Sequence, residues 1–181
     1  MLTRFRAALG FTRQSTYLFS AFLLICLLII YIWWPLAVEY WGLIQAYSQA
    51  GYPWYALVDW LLLGIFAFMS VTIMARADFK TDGLIIFVGV VGGLVIESWG
   101  TQTNLWHYYT AERPPLWIIP AWPIASLSID RITRSLSRVT VKWSESAFRA
   151  LYWLTFSGFY LLMLWYISPT FDKSYTILAL L

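Results

Sequence analysis

Charge is scarce in this chain. Of its 181 residues 12% are charged and 61% are hydrophobic, with a mean hydropathy of +0.68. A soluble domain carries about 25% charge, so the composition excludes a water-soluble globular domain and points to an integral membrane protein. Cysteine is scarcer still. The single Cys26 lies in an apolar run, which excludes a disulfide framework and a Cys/His zinc pattern. The one histidine, His107, excludes bis-histidine haem within the chain and the multi-histidine iron sites of membrane desaturases. There is no Walker loop, no dinucleotide-binding glycine fingerprint, no HExxH and no GxSxG elbow. Internal repeats and low-complexity linkers are also missing, so a single transmembrane domain over 1–181 is the simplest organisation. The net charge of +3 follows from membrane topology and carries no nucleic-acid signal.

Aromatic residues are plentiful, at 20% with twelve Trp. Such a surface suits the bilayer interface or flat hydrophobic ligands. A helix needs about 20 apolar residues to cross a bilayer. The hydropathy pattern predicts an all-α polytopic bundle of five spans, at 17–38, 54–74, 83–100, 115–129 and 148–168. The first apolar run is too long for a cleaved signal peptide, whose core is about 7–15 residues, and reads as a retained anchor. The fourth span is short and interrupted by Pro120 and Pro123.

Lys and Arg set the orientation. Arg4, Arg6, Arg13, Arg76, Lys80, Arg131, Arg134, Arg138, Lys142 and Arg149 fall on one side of the five spans, against Arg113 and Lys173 on the other. This predicts a cytoplasmic N-terminus and an outside C-terminus, in the inner (cytoplasmic) membrane of a prokaryote. The N-terminal stretch, with Leu2, Phe5, Leu9 and Phe11 among arginines, and the uncharged aromatic segment 40–53 are both expected to lie along the membrane surface. The basic link 130–147 reads as a cytoplasmic topology determinant beside anionic lipid.

Two carboxylates fall inside predicted spans. Asp59 lies five residues into the second, roughly 8 Å below the outer face. Glu97 lies fourteen residues into the third, which puts it roughly 9 Å below the outer boundary of a core about 30 Å thick. A carboxylate in hydrocarbon is costly unless paired or protonated, so both are functional candidates. A protonated acid beside an ionised one is the usual equipment for acid/base work. Against this stands the plainer reading that each hydrogen-bonds a neighbouring helix. Gly89, Gly93 and Glu97 recur every four residues and share one helical face, where small residues admit a close helix. His107 in WHYY is an interfacial belt residue, a proton relay or a ligand to haem iron or chlorophyll magnesium. Trp99, Trp106, Tyr108, Tyr109, Trp117 and Trp122 form either an aromatic belt or a ligand surface. No metal site is expected and no obligatory cofactor is predicted. A bound carotenoid, chlorophyll or lipid would suit the aromatic surface.

The stretch 89–124 resembles the signature of the carotenoid biosynthesis membrane proteins, which include C50-carotenoid and acyclic-carotene hydratases. A glycine-rich helix runs into E-x-x-G at Glu97 and Gly100. Thr103, the pair Tyr108 and Tyr109, Pro115-Leu116, and Pro120-Ala121-Trp122 follow. The glycine that the family places before the tyrosines is replaced here by Leu105, Trp106 and His107. The resemblance implies an isoprenoid ligand and chemistry that begins by protonating an alkene. Glu97 or Asp59 would be the acid, and Trp99, Trp106 and Tyr108 would stabilise the cation. The alternative is a non-catalytic transmembrane subunit of a photosynthetic or respiratory complex, touching pigments, quinones or lipids. Membrane lipids, a hydrophobic isoprenoid and other transmembrane subunits are the expected partners; nucleic acid is not.

Overall fold

The computed structural model describes residues 10–108, 110–141 and 143–180. The expected N-terminal surface stretch through Leu9, together with Tyr109, Lys142 and Leu181, lies outside the described residues. Among those described the chain is all helical, with no strand. The helices are α1 (Arg13–Ile32), α2 (Trp34–Gln49), α3 (Trp60–Met74), α4 (Phe79–Gln102), α5 (Ala121–Thr140), α6 (Glu145–Ile167) and α7 (Ser174–Leu180). Short 3-10 turns stand at Trp54–Leu57 and Ser168–Thr170.

Three helices are long and apolar enough to cross a membrane: α1, α4, and α6 with the turn that follows it. Burial is inverted relative to a soluble protein. Among the described residues six hydrophobic side chains are buried against ten polar ones, while Leu, Ile, Val, Phe and Trp crowd the exposed surface. Such a surface fits a hydrocarbon solvent, which takes apolar groups and leaves polar ones to be satisfied within the protein.

The chain divides into two compact units, Met1–Leu84 and Ile85–Leu181. In the first unit Thr12 caps α1 in a reciprocal box with Ser15. Ser15, buried, also donates to the Met74 carbonyl at 2.6 Å. Phe22 of α1 meets Phe66 of α3 with ring centroids 5.4 Å apart. The predicted first span does not continue to 38. α1 stops at Trp33 (φ −100°, ψ 29°), because Pro35 near the start of α2 has no N–H and its ring crowds the preceding turn. Beyond this break α2 runs to Gln49, so most of the segment expected along the membrane surface is helical.

The second predicted span starts late. Residues 54–57 form a 3-10 turn, and α3 begins only at Trp60, giving 15 residues where a span was expected. The third span is extended at both ends, to 24 residues. Asp78 opens it by accepting from the Thr81 backbone and hydroxyl, bonds that hold its carboxyl below the usual carboxylate range, and Asp82 accepts from the Asp78 N–H.

In the second unit the stretch 115–129 is not one continuous helix. Residues 116–120 form turns. Helix α5 starts at Ala121, with Pro123 in its tolerant first turn, and continues through the expected link to Thr140. α6 starts one turn earlier than expected, capped by Ser144. α7 closes the chain with a helix the hydropathy pattern does not signal.

Candidate functional site

The end of α4 is where sequence and geometry converge. Glu97 is 3% exposed, and its carboxylate accepts three hydrogen bonds. Trp106 Nε1 donates to Oε2 at 3.1 Å. Tyr108 Oη donates to Oε1 at 3.1 Å, and Trp122 Nε1 donates to Oε1 at 3.2 Å. An indole N–H can only donate, so both oxygens are committed as acceptors. A carboxylate that would be costly in hydrocarbon is thus satisfied by neutral, mainly aromatic groups.

The local sequence builds this arrangement. Thr101 donates to the Glu97 carbonyl at 2.6 Å and Thr103 to that of Trp99 at 2.8 Å, which satisfies carbonyls near the helix terminus. Asn104 takes a left-handed conformation (φ 57°), and the Leu105 N–H reaches back to the Gly100 carbonyl at 2.9 Å. This is a Schellman turn with asparagine in the left-handed position. It folds the chain back, so that the Trp106 ring lies on Gly100; a Cβ there would meet the ring at 2.0 Å. Arg113 donates to Asn104 Oδ1 at 2.8 Å and ties the far side of the loop to the same turn.

The glycine face of α4 supplies the third donor. A Cβ on Gly93 would meet the Trp122 side chain at 2.4 Å, and one on Gly89 would meet the Pro123 backbone at 2.8 Å. The start of α5 therefore lies directly on this face, which brings Trp122 to a carboxylate 25 residues away in sequence.

The remaining predicted residues sit around this centre in different roles. Trp99 meets Trp106 edge-on at 5.9 Å and donates to Thr176 Oγ1 at 3.1 Å. Thr176 donates to Thr170 Oγ1 at 2.9 Å, and Thr170 donates to the Ile167 carbonyl. With Lys173 donating to the Thr103 carbonyl, this chain of hydroxyls fastens α7 to the end of α4. Trp117 stands edge-on to Tyr108 at 5.3 Å and donates to Thr110 Oγ1. His107 is exposed and lines, with Trp106, Tyr108, Thr110, Glu112 and Arg113, a cavity of about 230 Å³. Glu97 is not among its lining residues. The hydrophobic pattern gives no sign of Thr170, Lys173 or Thr176; the Thr-Asn spacing after Gln102 is the signal that could have marked the turn.

Asp59 lies in the first unit. It is exposed and is the N-cap of α3, accepting from the Leu62 N–H at 2.8 Å. It does not lie inside a helix as the hydropathy pattern suggests, because four residues before it form the 3-10 turn. Asp59→Ala is expected to cost about 1 kcal/mol of stability and Asp59→Asn much less, since asparagine caps as well as aspartate. Thermal unfolding of the two variants tests this; equal losses would contradict the capping role.

Tyr108 carries a second expectation. Burial, then the negative charge of Glu97 and the hydrogen bond to it, push its phenol up to about 12. An unfolded tyrosine ionises near pH 10, at about two units lower. The Tyr108 contribution is therefore complete below about pH 10 and is lost as pH rises toward 12, because the unfolded chain releases its proton first. The melting temperature should fall over this window, and Tyr108→Phe should remove that part of the fall.

No protein-family model matches the chain, and no curated protein or solved structure matches it.

Proposed function

We propose that the chain is a membrane-embedded, isoprenoid-handling protein of the kind its 89–124 stretch resembles. In this reading it crosses the inner membrane of a prokaryote five times, N-terminus inside and C-terminus outside, with the Glu97 centre near the outer boundary. The observation that carries the reading is the three-donor coordination of Glu97 by Trp106, Tyr108 and Trp122. It organises two aromatic rings that line a cavity at the end of an apolar helix. Such rings suit an isoprenoid, and they would stabilise a cation formed when an alkene is protonated. Glu97 is enclosed, so it acts through the rings it holds. Direct proton transfer from it in a hydratase or cyclase would require Trp106 or Tyr108 to swing aside.

A second reading, a transmembrane subunit, is favoured by α6. Tyr152, Phe156 and Tyr160 stack along it with centroids 6.2 and 6.1 Å apart and planes within 10°. All three are exposed. This flat ladder suits a pigment, a quinone or a partner helix. Purification in mild detergent separates the readings. The isoprenoid reading expects the chain alone, or with copies of itself, and an isoprenoid bound. Stoichiometric foreign subunits without an isoprenoid would reverse the choice.

A further inference from the structure

We infer that the groove between α7 and the end of α4 holds an uncharged lipid drawn from the bilayer, a single apolar chain that ends in a hydroxyl. This goes beyond the isoprenoid reading and does not rest on it.

The pairing of the two helices comes first. Lys173, just before α7, donates to the Thr103 carbonyl, and Thr176 within α7 accepts from Trp99. Three residues forward along the chain at α7 thus correspond to four residues back along α4, so the two helices run antiparallel. α4 is long and apolar enough to cross a membrane, and α7 runs back along it toward its middle. A cavity of about 370 Å³ lies between them. That is at the lower end of the roughly 300–1,000 Å³ of ligand sites, which suits one chain. None of the three donors to Glu97 lines it.

The lining is graded. On α4, Leu94, Ser98 and Gln102 recur every four residues and share one face, which passes from apolar to polar toward the helix end. On α7, Tyr175 stands at the start and Leu178 follows one turn later. Because the helices are antiparallel, the polar residues gather at one end of the groove. Leu94, Val95, Leu178 and Ala179 gather at the other. Leu94, Val95 and Leu178 are exposed, so in a membrane the apolar end opens onto hydrocarbon, where a lipid chain can enter.

The polar end selects the head. No charged residue is among the described residues that line the cavity, and Lys173 is engaged by the Thr103 carbonyl. An ionised head would leave water without a counter-charge, which is costly. The Ser98, Gln102 and Tyr175 side chains have no hydrogen-bond partner among the described residues. Thr101 and Thr103, at the same helix end, turn back to carbonyls four residues earlier; Ser98 does not. All three side chains can both donate and accept. A hydroxyl does both and is matched in full, whereas an ether only accepts.

The test labels the purified full chain with a hexadecanol that carries a photoreactive diazirine in its chain, and maps the label by peptide mass spectrometry. The label should fall on 94–102 and 174–180. Unlabelled hexadecanol should displace it about tenfold better than hexadecyl methyl ether, or than palmitate at pH 9. Ser98→Ala combined with Gln102→Leu should erase the preference for the alcohol over the ether, and Ala179→Trp should block labelling by filling the apolar end. Should Ala179→Trp fail to fold, the order of competitors on the wild type decides. Label spread evenly over the other helices overturns the inference. So does equal competition by the ether or palmitate, or a preference for the alcohol that survives the double variant. 1-Butanol is the remaining arm. Failure to displace the label supports a lipid occupant, and displacement at the concentrations of hexadecanol would assign the polar end to a soluble alcohol and overturn it.

Discussion

Glu97→Leu is expected to lower the melting temperature in detergent by on the order of 10 °C. Leucine fills a similar space but accepts no hydrogen bond. The Trp106 and Trp122 N–H groups and the Tyr108 O–H would then lack an acceptor, at about 1–3 kcal/mol for each that stays buried. Glu97→Gln should fall between wild type and leucine. Both carboxylate oxygens accept from an indole N–H, whereas an amide offers one oxygen and one NH2. Either orientation sets a donor against a donor. The expected order is wild type, then glutamine, then leucine, with indole emission shifting to the red as Trp106 and Trp122 gain water. A glutamine variant as stable as wild type would mean that the three bonds do not hold the centre together.

Gly93→Ala and Gly100→Ala are expected to be nearly as damaging, although each adds one methyl group. The added carbon on Gly93 would lie 2.4 Å from the Trp122 ring, and on Gly100 2.0 Å from the Trp106 ring. Overpacking costs about 1–3 kcal/mol. Here the displaced ring also carries one of the donors to Glu97, so packing and hydrogen bonding fail together. Gly92 is the internal control. Nothing lies within 4 Å of a Cβ there, and Gly92→Ala should be close to neutral. Melting curves of the three variants, beside near-ultraviolet circular dichroism of the tryptophans, measure the contrast. Equal behaviour of Gly92→Ala and Gly93→Ala would contradict the packing of α5 on this face.

The fold class is readable from the sequence because long apolar runs have few structural outcomes in a membrane. The ends of the helices are less readable. Around Asp59 both sides are apolar, so hydropathy cannot tell a helix interior from its start; the Asp before WLLLG is a capping signal outweighed by the run that surrounds it. The break at Trp33 was visible in Pro35, but a continuous greasy stretch hides it from any count of apolar residues. α5 was cut short for the opposite reason. The change from apolar to basic at Asp130 looks like a boundary, whereas the helix ignores it and carries both halves.

At the site, a carboxylate in a glycine-faced helix stood out from its spacing alone, and the aromatics around His107 stood out from their density. That Trp106, Tyr108 and Trp122 share one carboxylate was not legible. It depends on a left-handed Asn104 that reverses the chain, and on a helix–helix contact that brings in Trp122 from α5. Trp99 looks like its neighbours in sequence, yet its indole N–H turns to Thr176 and fastens the C-terminal helix.

The most direct test of the account is mass spectrometry of the lipids retained by three forms of the full chain purified from native membranes: wild type, Asp59→Asn and Glu97→Gln. The account predicts an isoprenoid held by wild type and by Asp59→Asn, and lost or strongly depleted in Glu97→Gln. Equal retention by all three, or no isoprenoid on wild type, would contradict an isoprenoid site organised by Glu97.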